Sequence, residues 1–183
     1  MLKIITVPNK ILNTPSKPIT KIDKRVKKLA KEMITFLKTG ADGKSLGVGL
    51  STVQIGKPLR LFIAYSPQSR HYLTFINPKI IWQSKKKILG IPERKEFPYE
   101  GCLSIPNTWG KVWRHEKIKA SYQNLRGIQV TKEFSGFLGT IIQHEYDHLN
   151  GILFVQRVLE EKNKLYKIEK DEEGKESLIE IRL

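Results

Sequence analysis

The chain has 183 residues, of which 39% are hydrophobic and 28% charged, and its formal net charge at pH 7 is +15. Length and composition are typical of one globular domain that can bury a sizeable core, so we predict a single domain over residues 1–183. The positive charge favours a polyanionic partner, although a general lysine bias would produce it as well.

Several classes of protein are disfavoured by the sequence. No apolar run approaches the roughly 20 residues that a membrane-spanning helix needs, so no membrane contact is expected. The single cysteine, Cys102, excludes an intramolecular disulfide. Residues 1–8 lack the apolar core and cleavage site of a signal peptide. Together these features predict a cytoplasmic protein, which we also expect to be a monomer.

The first third of the chain contains one strong helical pattern. Residues 2–7 alternate loosely and predict a short strand. Apolar residues at helical spacing between Asp23 and Gly40 predict an amphipathic surface helix with lysines on its other face. Residues 41–45 are expected to form a loop. Residues 47–54 contain two glycines one residue apart, which allow the backbone to approach a ligand or another strand closely.

The remaining elements are mostly strands, and together they indicate an α+β protein. We predict strands at 59–65, 72–82, 117–122, 128–131, 152–155 and 178–183, turns at 66–68, 124–127 and 171–174, an exposed hairpin or loop at 85–98, and a helix over 156–170. The second strand is expected to be interrupted at Asn77 and Pro78, because proline has no N–H to donate to a ladder.

A further helix, between Ser135 as N-cap and Gly151 just past its end, carries the central motif of the sequence. His144 and His148 are four residues apart, so they lie about 40° apart around the helix and about 6 Å apart along it. Both imidazoles can therefore bind one metal ion. Glu145 lies beside this face, where it can act on a water molecule without being a ligand. This is the H-E-x-x-H pattern of two ligands and a general base.

Two histidines leave the metal site incomplete, since catalytic sites usually have three protein ligands and an open position. No histidine follows residue 148, which excludes the metzincin pattern. A downstream glutamate such as Glu160 or Glu169 would give a site with two histidines and one glutamate. Cys102 would instead supply a soft, anionic thiolate. The spacing does not choose between them.

Three short motifs lie along this sequence. Residues 47–54 read Gly-Val-Gly-Leu-Ser-Thr-Val-Gln, residues 100–104 read Glu-Gly-Cys-Leu-Ser, and residues 143–151 read Gln-His-Glu-Tyr-Asp-His-Leu-Asn-Gly. They resemble the motifs of peptide deformylases, and residues 47–54 are similar to the first motif of that family, G-x-G-x-A-A-x-Q. The three occur in the family's order, and with smaller family-like segments they cover most of the chain. The combination is specific, whereas any single motif is not.

The resemblance implies a metal-dependent hydrolase that removes the formyl group from the N-terminal formyl-methionine of nascent polypeptides. Its fold would be α+β, with mostly antiparallel sheets packed around a central metal-binding helix that carries H-E-x-x-H. The ligands would be Cys102, His144 and His148, holding one divalent metal ion. Ferrous iron is the metal of many members, and zinc, nickel and cobalt are acceptable to the same ligand set.

The resemblance also assigns roles around the metal. Glu145 would transfer protons as a general base and acid. The side-chain amide of Gln54 and the backbone N–H of Leu103 would stabilise the oxyanion. The backbone at Val48 and Gly49 would bind the substrate peptide as an added strand. The methionine pocket would be formed by Val48, Phe137, Ile141 and their neighbours.

The sequence departs from the family at two places. Ser51 and Thr52 replace two alanines, and each hydroxyl, if buried, is expected to bind nearby backbone. Family members often have an arginine soon after Cys-Leu-Ser, whereas here the first is Arg114. We expect Arg114 and Asp147 to form structural ion pairs near the site, and the sequence does not specify their partners.

Two rival functions stay open at this point. One is an H-E-x-x-H metalloprotease. The other is a basic RNA- or ribosome-associated protein whose metal site is structural. A deformylase with this charge could also contact the ribosome transiently.

Overall fold

The structure, a computed structural model, describes residues 2–40, 47–170, 174 and 176–182. The predicted loop at 41–45 and most of the predicted turn at 171–174 lie outside these residues. Within them, the α-helices are α1 (Lys24–Thr39), α2 (Gly136–Leu149) and α3 (Phe154–Glu160). The strands are β1 (Gly49–Ser51), β2 (Leu61–Ser66), β3 (His71–Gln83), β4 (Lys87–Leu89), β5 (Glu100–Cys102), β6 (Ile105–Gly110), β7 (Trp113–His115), β8 (Lys117–Gln123), β9 (Gln129–Ser135), β10 (Leu165–Lys170) and β11 (Glu176–Glu180).

The strands form three antiparallel sheets. The largest has the order β1-β2-β3-β8-β9, the second has the order β11-β10-β6-β5, and β4 pairs with β7. This arrangement with its helices confirms the predicted α+β class. Among the described residues, no helix combines the length and the apolar character needed to cross a membrane.

The five-stranded sheet lies between α1 and α2, and strand β2 shows why. Successive side chains of a strand point to opposite faces. Phe62 and Ala64 belong to the apolar cluster that contains the buried residues of α2, whereas Leu61 and Ile63 belong to the cluster that contains those of α1. All four are fully buried. β2 is therefore a central strand that is buried on both faces, and α2 packs against one face of the sheet.

Helix α2 is buried on almost every side, as expected for a helix that is apolar around most of its circumference. Ser135 is the N-cap residue as predicted, but its side chain makes no capping bond. Instead, the carboxylate of Glu93 accepts from the N–H of Phe137 at 3.1 Å, which places a negative charge at the positive end of the helix. Gly151, with φ 74°, is the predicted residue just past the end.

Helix α1 confirms the prediction from periodicity. Asp23 is its N-cap and accepts from the N–H groups of Arg25 and Val26 at 2.9 and 3.0 Å. The helix ends at Thr39, and Gly40 follows with φ 75°.

Two predictions from short apolar runs are wrong. Residues 2–7 form no strand, because the N–H groups of Ile5 and Val7 bind the separate carbonyls of Gln54 and Ser104 rather than a continuous ladder. Residues 152–155 are not a strand either, since α3 begins at Phe154. A short apolar run does not distinguish a strand from a buried helix.

The region after α3 also differs from its prediction. The helix expected over 156–170 ends at Glu160, and Lys162 has φ 55°, which helical backbone cannot accommodate. The chain then enters β10, which pairs with both β6 and β11. Strand pairing between distant segments therefore overrides the local helical pattern. Strands β4, β6 and β7, and the early start of β11, were likewise not predicted.

Strand β3 runs through the predicted interruption as a bulge. Its register with β8 shifts between Ile76 and Lys79, and Asn77 adopts a left-handed φ of 49°. The Asn77 side chain bridges the backbone of buried Ile19, accepting from its N–H and donating to its carbonyl, both at 2.8 Å. The amide thus ties the N-terminal segment to the central sheet.

We predict that Asn77→Ala lowers the free energy of unfolding by about 2–4 kcal/mol, because it leaves both backbone groups of Ile19 without a partner. Asn77→Gly removes the same bonds but tolerates positive φ, so it should still cost at least about 1 kcal/mol. Urea denaturation of both variants measures this. A decrease in the free energy of unfolding below about 0.5 kcal/mol in Asn77→Ala would contradict a stabilising role for these two hydrogen bonds.

Candidate active site

Helix α2 and the end of β5 bring three potential metal ligands together. The ligand atoms of Cys102, His144 and His148 all lie within 4.8 Å of one another. Nε2 of His148 is 3.2 Å from Sγ of Cys102, and the two imidazole centroids are 5.0 Å apart. One thiolate and two imidazoles at this separation fit a divalent transition metal. The structure therefore contains a candidate Cys/His/His metal site.

The competing third ligands lie elsewhere. Glu160 is exposed and pairs with Arg157 at 3.4 Å, and exposed Glu169 pairs with Lys167. Neither belongs to a group of potential ligands within the described residues. The geometry therefore favours Cys102 over a downstream glutamate.

A buried carboxylate supports His144. Nδ1 of His144 is 2.9 Å from Oε2 of Glu100, which lies two residues before Cys102. Burial alone would raise the pKa of Glu100, but the guanidinium of Arg114 outweighs it and lowers that pKa to about 2. Since Glu100 is ionised, Nδ1 of His144 must donate to it. In the neutral imidazole, this bond leaves Nε2 without a proton and able to bind a metal ion.

Arg114 extends the network to the helix. Its guanidinium binds both carboxylate oxygens of Glu100 at 2.9 Å and Oδ2 of Asp147 at 2.5 Å. Asp147 is also bound by Arg157 at 2.8 Å. The predicted ion pairs of Arg114 and Asp147 near the site are present, and the structure shows that the two side chains pair with each other. The role of Glu100 was missed, because nothing in a sequence shows which buried carboxylate will face a histidine.

Glu145 lies between α2 and β1, next to the potential ligands. Its side chain is buried, and burial raises its pKa to about 6. The Ser51 hydroxyl donates to its Oε2 at 2.7 Å. Gly49 lies against Oε1, and a Cβ at that position would collide with the carboxylate. The glycine is thus required for close packing of the strand against this side chain.

Gln54 is held in the 3-10 turn Thr52–Ile55 that follows β1. Its Oε1 accepts from the N–H of Ser51 at 2.8 Å, so its amide nitrogen faces the other way. This Nε2 donates to Sγ of Cys102 at 3.4 Å and to Oγ of Ser104 at 3.3 Å. The predicted oxyanion donor therefore lies beside the potential metal ligands.

One cleft of about 510 Å³ joins these residues. Its lining includes the predicted residues Val48, Gly49, Gln54, Cys102, Leu103, Phe137, Ile141, His144 and Glu145. His148 lies behind them and is 1% exposed. The cleft also contains Arg94, whose guanidinium lies 4.8 Å from the centroid of the Phe137 ring. Arg94 was not predicted to line the cleft, because the sequence of the surrounding loop has no pattern that indicates its position.

Comparison with known proteins agrees with this geometry. The family model described as polypeptide deformylase matches residues 1–164. A peptide deformylase of Bartonella henselae is 37% identical over 158 residues, which cover 85% of this chain and 82% of that protein. The peptide deformylase of Wolinella succinogenes is 34% identical over 186 residues, covering 97% of this chain and all of that protein.

Solved structures give the same result. The peptide deformylase of Thermotoga maritima is similar with a TM-score of 0.75 and 32% identity, covering 86% of this chain and 97% of that one. A Met-Ala-Ser-bound class I type b peptide deformylase from Acinetobacter baumannii is similar with a TM-score of 0.73 and 32% identity, covering 86% and 98%. The extent of the family match, the identities and the shared fold show that this chain belongs to the peptide deformylase family, the metal-dependent hydrolases that remove the formyl group from the N-terminus of nascent polypeptides.

Proposed function

We propose that this chain deformylates N-formyl-methionyl peptides as a single catalytic domain, with the reaction at the cleft between β1, β5 and α2. The observation that carries the proposal is the convergence of Cys102, His144, Glu145 and Gln54 on that one cleft. The rival protease and structural-metal hypotheses receive no comparable support. The downstream glutamates lie away from the site, and structural zinc sites normally have four protein ligands.

The metal proposed here is one divalent ion held by Cys102, His144 and His148. When bound, it would act as a Lewis acid that polarises the formyl carbonyl and makes water more acidic. Ferrous iron is the metal that the family resemblance implies, and zinc, nickel and cobalt suit the same donors. The bond from His144 to Glu100 supports the proposal, because it orients the free nitrogen toward the other two ligands.

Glu145 is proposed to move the proton. With a pKa of about 6, it is mostly ionised near neutral pH and can accept a proton from the attacking water. The oxygen of that water bonds to the formyl carbon, and the bond from that carbon to nitrogen then breaks. The proton held by Glu145 passes to the departing amine. The products are formate and a peptide with a free amino terminus.

Gln54 and Leu103 are proposed to stabilise the oxyanion. The amide nitrogen of Gln54 is fixed in direction by the bond between its Oε1 and Ser51. Leu103 lies in the turn between β5 and β6, next to Cys102, so its backbone N–H is available at the same end of the cleft. Preoriented donors of this kind stabilise developing negative charge without reorganisation.

The substrate peptide is proposed to bind along β1. This strand is at the end of the five-stranded order and pairs with β2 on one side. The backbone at Val48 and Gly49 lines the cleft, so a peptide could add to this edge as another strand. Val48, Phe137 and Ile141 would then surround the methionine side chain.

We predict that Glu145→Gln lowers kcat by at least about a hundredfold, because it removes the group that accepts and returns the proton. Bound metal and thermal stability should stay at wild-type values. Formate release from a formyl-Met peptide measures the effect, and Glu133→Gln, an exposed substitution on β9, is the matched control. Full activity in metal-replete Glu145→Gln protein would remove Glu145 from the mechanism.

We also propose a transient contact with the ribosome, made by α1, in a monomeric and cytoplasmic enzyme. The exposed face of α1 has one acidic side chain, Glu32, and six basic ones, Lys24, Arg25, Lys27, Lys28, Lys31 and Lys38. Such a face suits the phosphates of ribosomal RNA. A reducing cytoplasm would keep the thiol of Cys102 available as a ligand.

If α1 contacts the ribosome, we expect the protein to co-sediment with ribosomes at low salt. The bound fraction should fall steeply as the salt concentration rises. Replacing both Lys27 and Lys31 by Glu should abolish co-sedimentation and leave kcat on a free peptide unchanged. The same double replacement at exposed Lys119 and Lys132, on β8 and β9, serves as the control. Equal loss in both double variants, or no co-sedimentation of the wild type at low salt, would contradict a contact through α1.

A further inference from the structure

The hydroxyl of Ser51 binds the proposed general base directly. Ser51 is fully buried at the end of β1, and its Oγ lies 2.7 Å from Oε2 and 3.1 Å from the backbone carbonyl of Glu145. The neighbouring Thr52 behaves differently, since its hydroxyl binds the backbone carbonyls of Leu59 and Leu61 at 2.6 and 3.1 Å. The expectation of a nearby backbone partner therefore holds for Thr52, whereas Ser51 reaches a catalytic side chain 94 residues away.

The bond distinguishes the two oxygens of the carboxylate. A hydroxyl has one proton to donate, and a carboxylate oxygen can only accept it. The ionised Oε2 is closer to the Ser51 oxygen than the backbone carbonyl is and accepts this proton, while Oε1 lies against Gly49, which lines the cleft. A bond to an ionised acceptor is stronger than one between neutral groups, so it fixes the rotation of the carboxylate.

We propose that Ser51 is a positioning residue, which holds Oε2 of Glu145 so that Oε1 faces the attacking water and later carries the proton to the amine. This inference rests on the proposed role of Glu145. Accepting the Ser51 hydrogen makes Oε2 the less basic of the two oxygens, so the proton taken from water goes to Oε1, on the side of the cleft. The neutral carboxyl that results still accepts from Ser51 through its carbonyl oxygen Oε2. The same bond therefore serves both protonation states.

A substitution can isolate this role of the hydroxyl. The backbone N–H of Ser51 orients Gln54, and Ser51→Ala leaves that N–H in place. The change thus removes the bond to Glu145 while keeping the proposed oxyanion donor. Thr52→Ala is the matched control, since it removes an adjacent buried hydroxyl that binds only the backbone.

We expect Ser51→Ala to lower kcat by about three- to tenfold, the range of one lost hydrogen bond, with KM within about twofold of the wild type and metal content unchanged. Thr52→Ala should lower thermal stability and leave kcat within about twofold. In the Glu145→Gln background, Ser51→Ala should have no further effect on kcat, because the base on which it acts is absent. If Ser51→Ala does not fold, Ser51→Cys, which keeps the volume and a weak donor, replaces it and should show a smaller loss of kcat.

The outcomes separate this inference from the proposed function. An active wild type whose kcat is unchanged by Ser51→Ala, or by Ser51→Cys where that variant is used, overturns the positioning role alone. A Ser51→Ala loss of equal size in the Glu145→Gln background also overturns it, since the hydroxyl would then act through another group. A wild type that releases no formate from formyl-Met peptides instead contradicts the proposed function itself.

Discussion

Arg114 links the two segments that carry the proposed metal ligands. Its buried guanidinium contacts Glu100, two residues before Cys102 on β5, and Asp147, one residue before His148 on α2. Breaking a buried ion pair by removing one partner is strongly destabilising, because the remaining charges stay in a poorly solvated place. The strand and the helix are therefore held in a fixed position relative to each other. The fold thus sets the distances between Sγ of Cys102 and the two imidazoles.

The proposed general base depends on a second contact, between β1 and α2. Burial against this strand raises the pKa of Glu145 into the range of a useful base, and Gly49 leaves the space that its carboxylate occupies. Ser51 and Gln54 follow in the same segment, so one short stretch of chain positions the base and a proposed oxyanion donor. The free edge of β1 is also the proposed peptide-binding edge. The same rigid segment would therefore position both the substrate and the proposed catalytic groups.

Much of the fold and site was predictable from local patterns and from the family motifs. Helix α1 and the H-E-x-x-H helix follow from apolar spacing, and the two histidines follow from their separation of four residues. The choice of Cys102 over Glu160 or Glu169 depended on the family resemblance, because the spacing of residues far apart in the chain does not show which of them share a metal site. The helix expected over 156–170 ends at Glu160, since the pairing of β10 with two remote strands outweighs local propensity in the rest of that stretch. The contact of Ser51 with Glu145 was equally invisible, because it depends on how a strand and a helix pack.

Cys102, His144 and His148 are proposed to hold a metal ion at which this chain deformylates peptides. The most direct measurement combines metal content with formate release from formyl-Met-Ala-Ser, for wild type and Cys102→Ala purified without oxygen. We expect about one metal ion per chain and turnover in the wild type, and loss of both from a folded Cys102→Ala protein. Wild-type metal content and turnover in Cys102→Ala would contradict it.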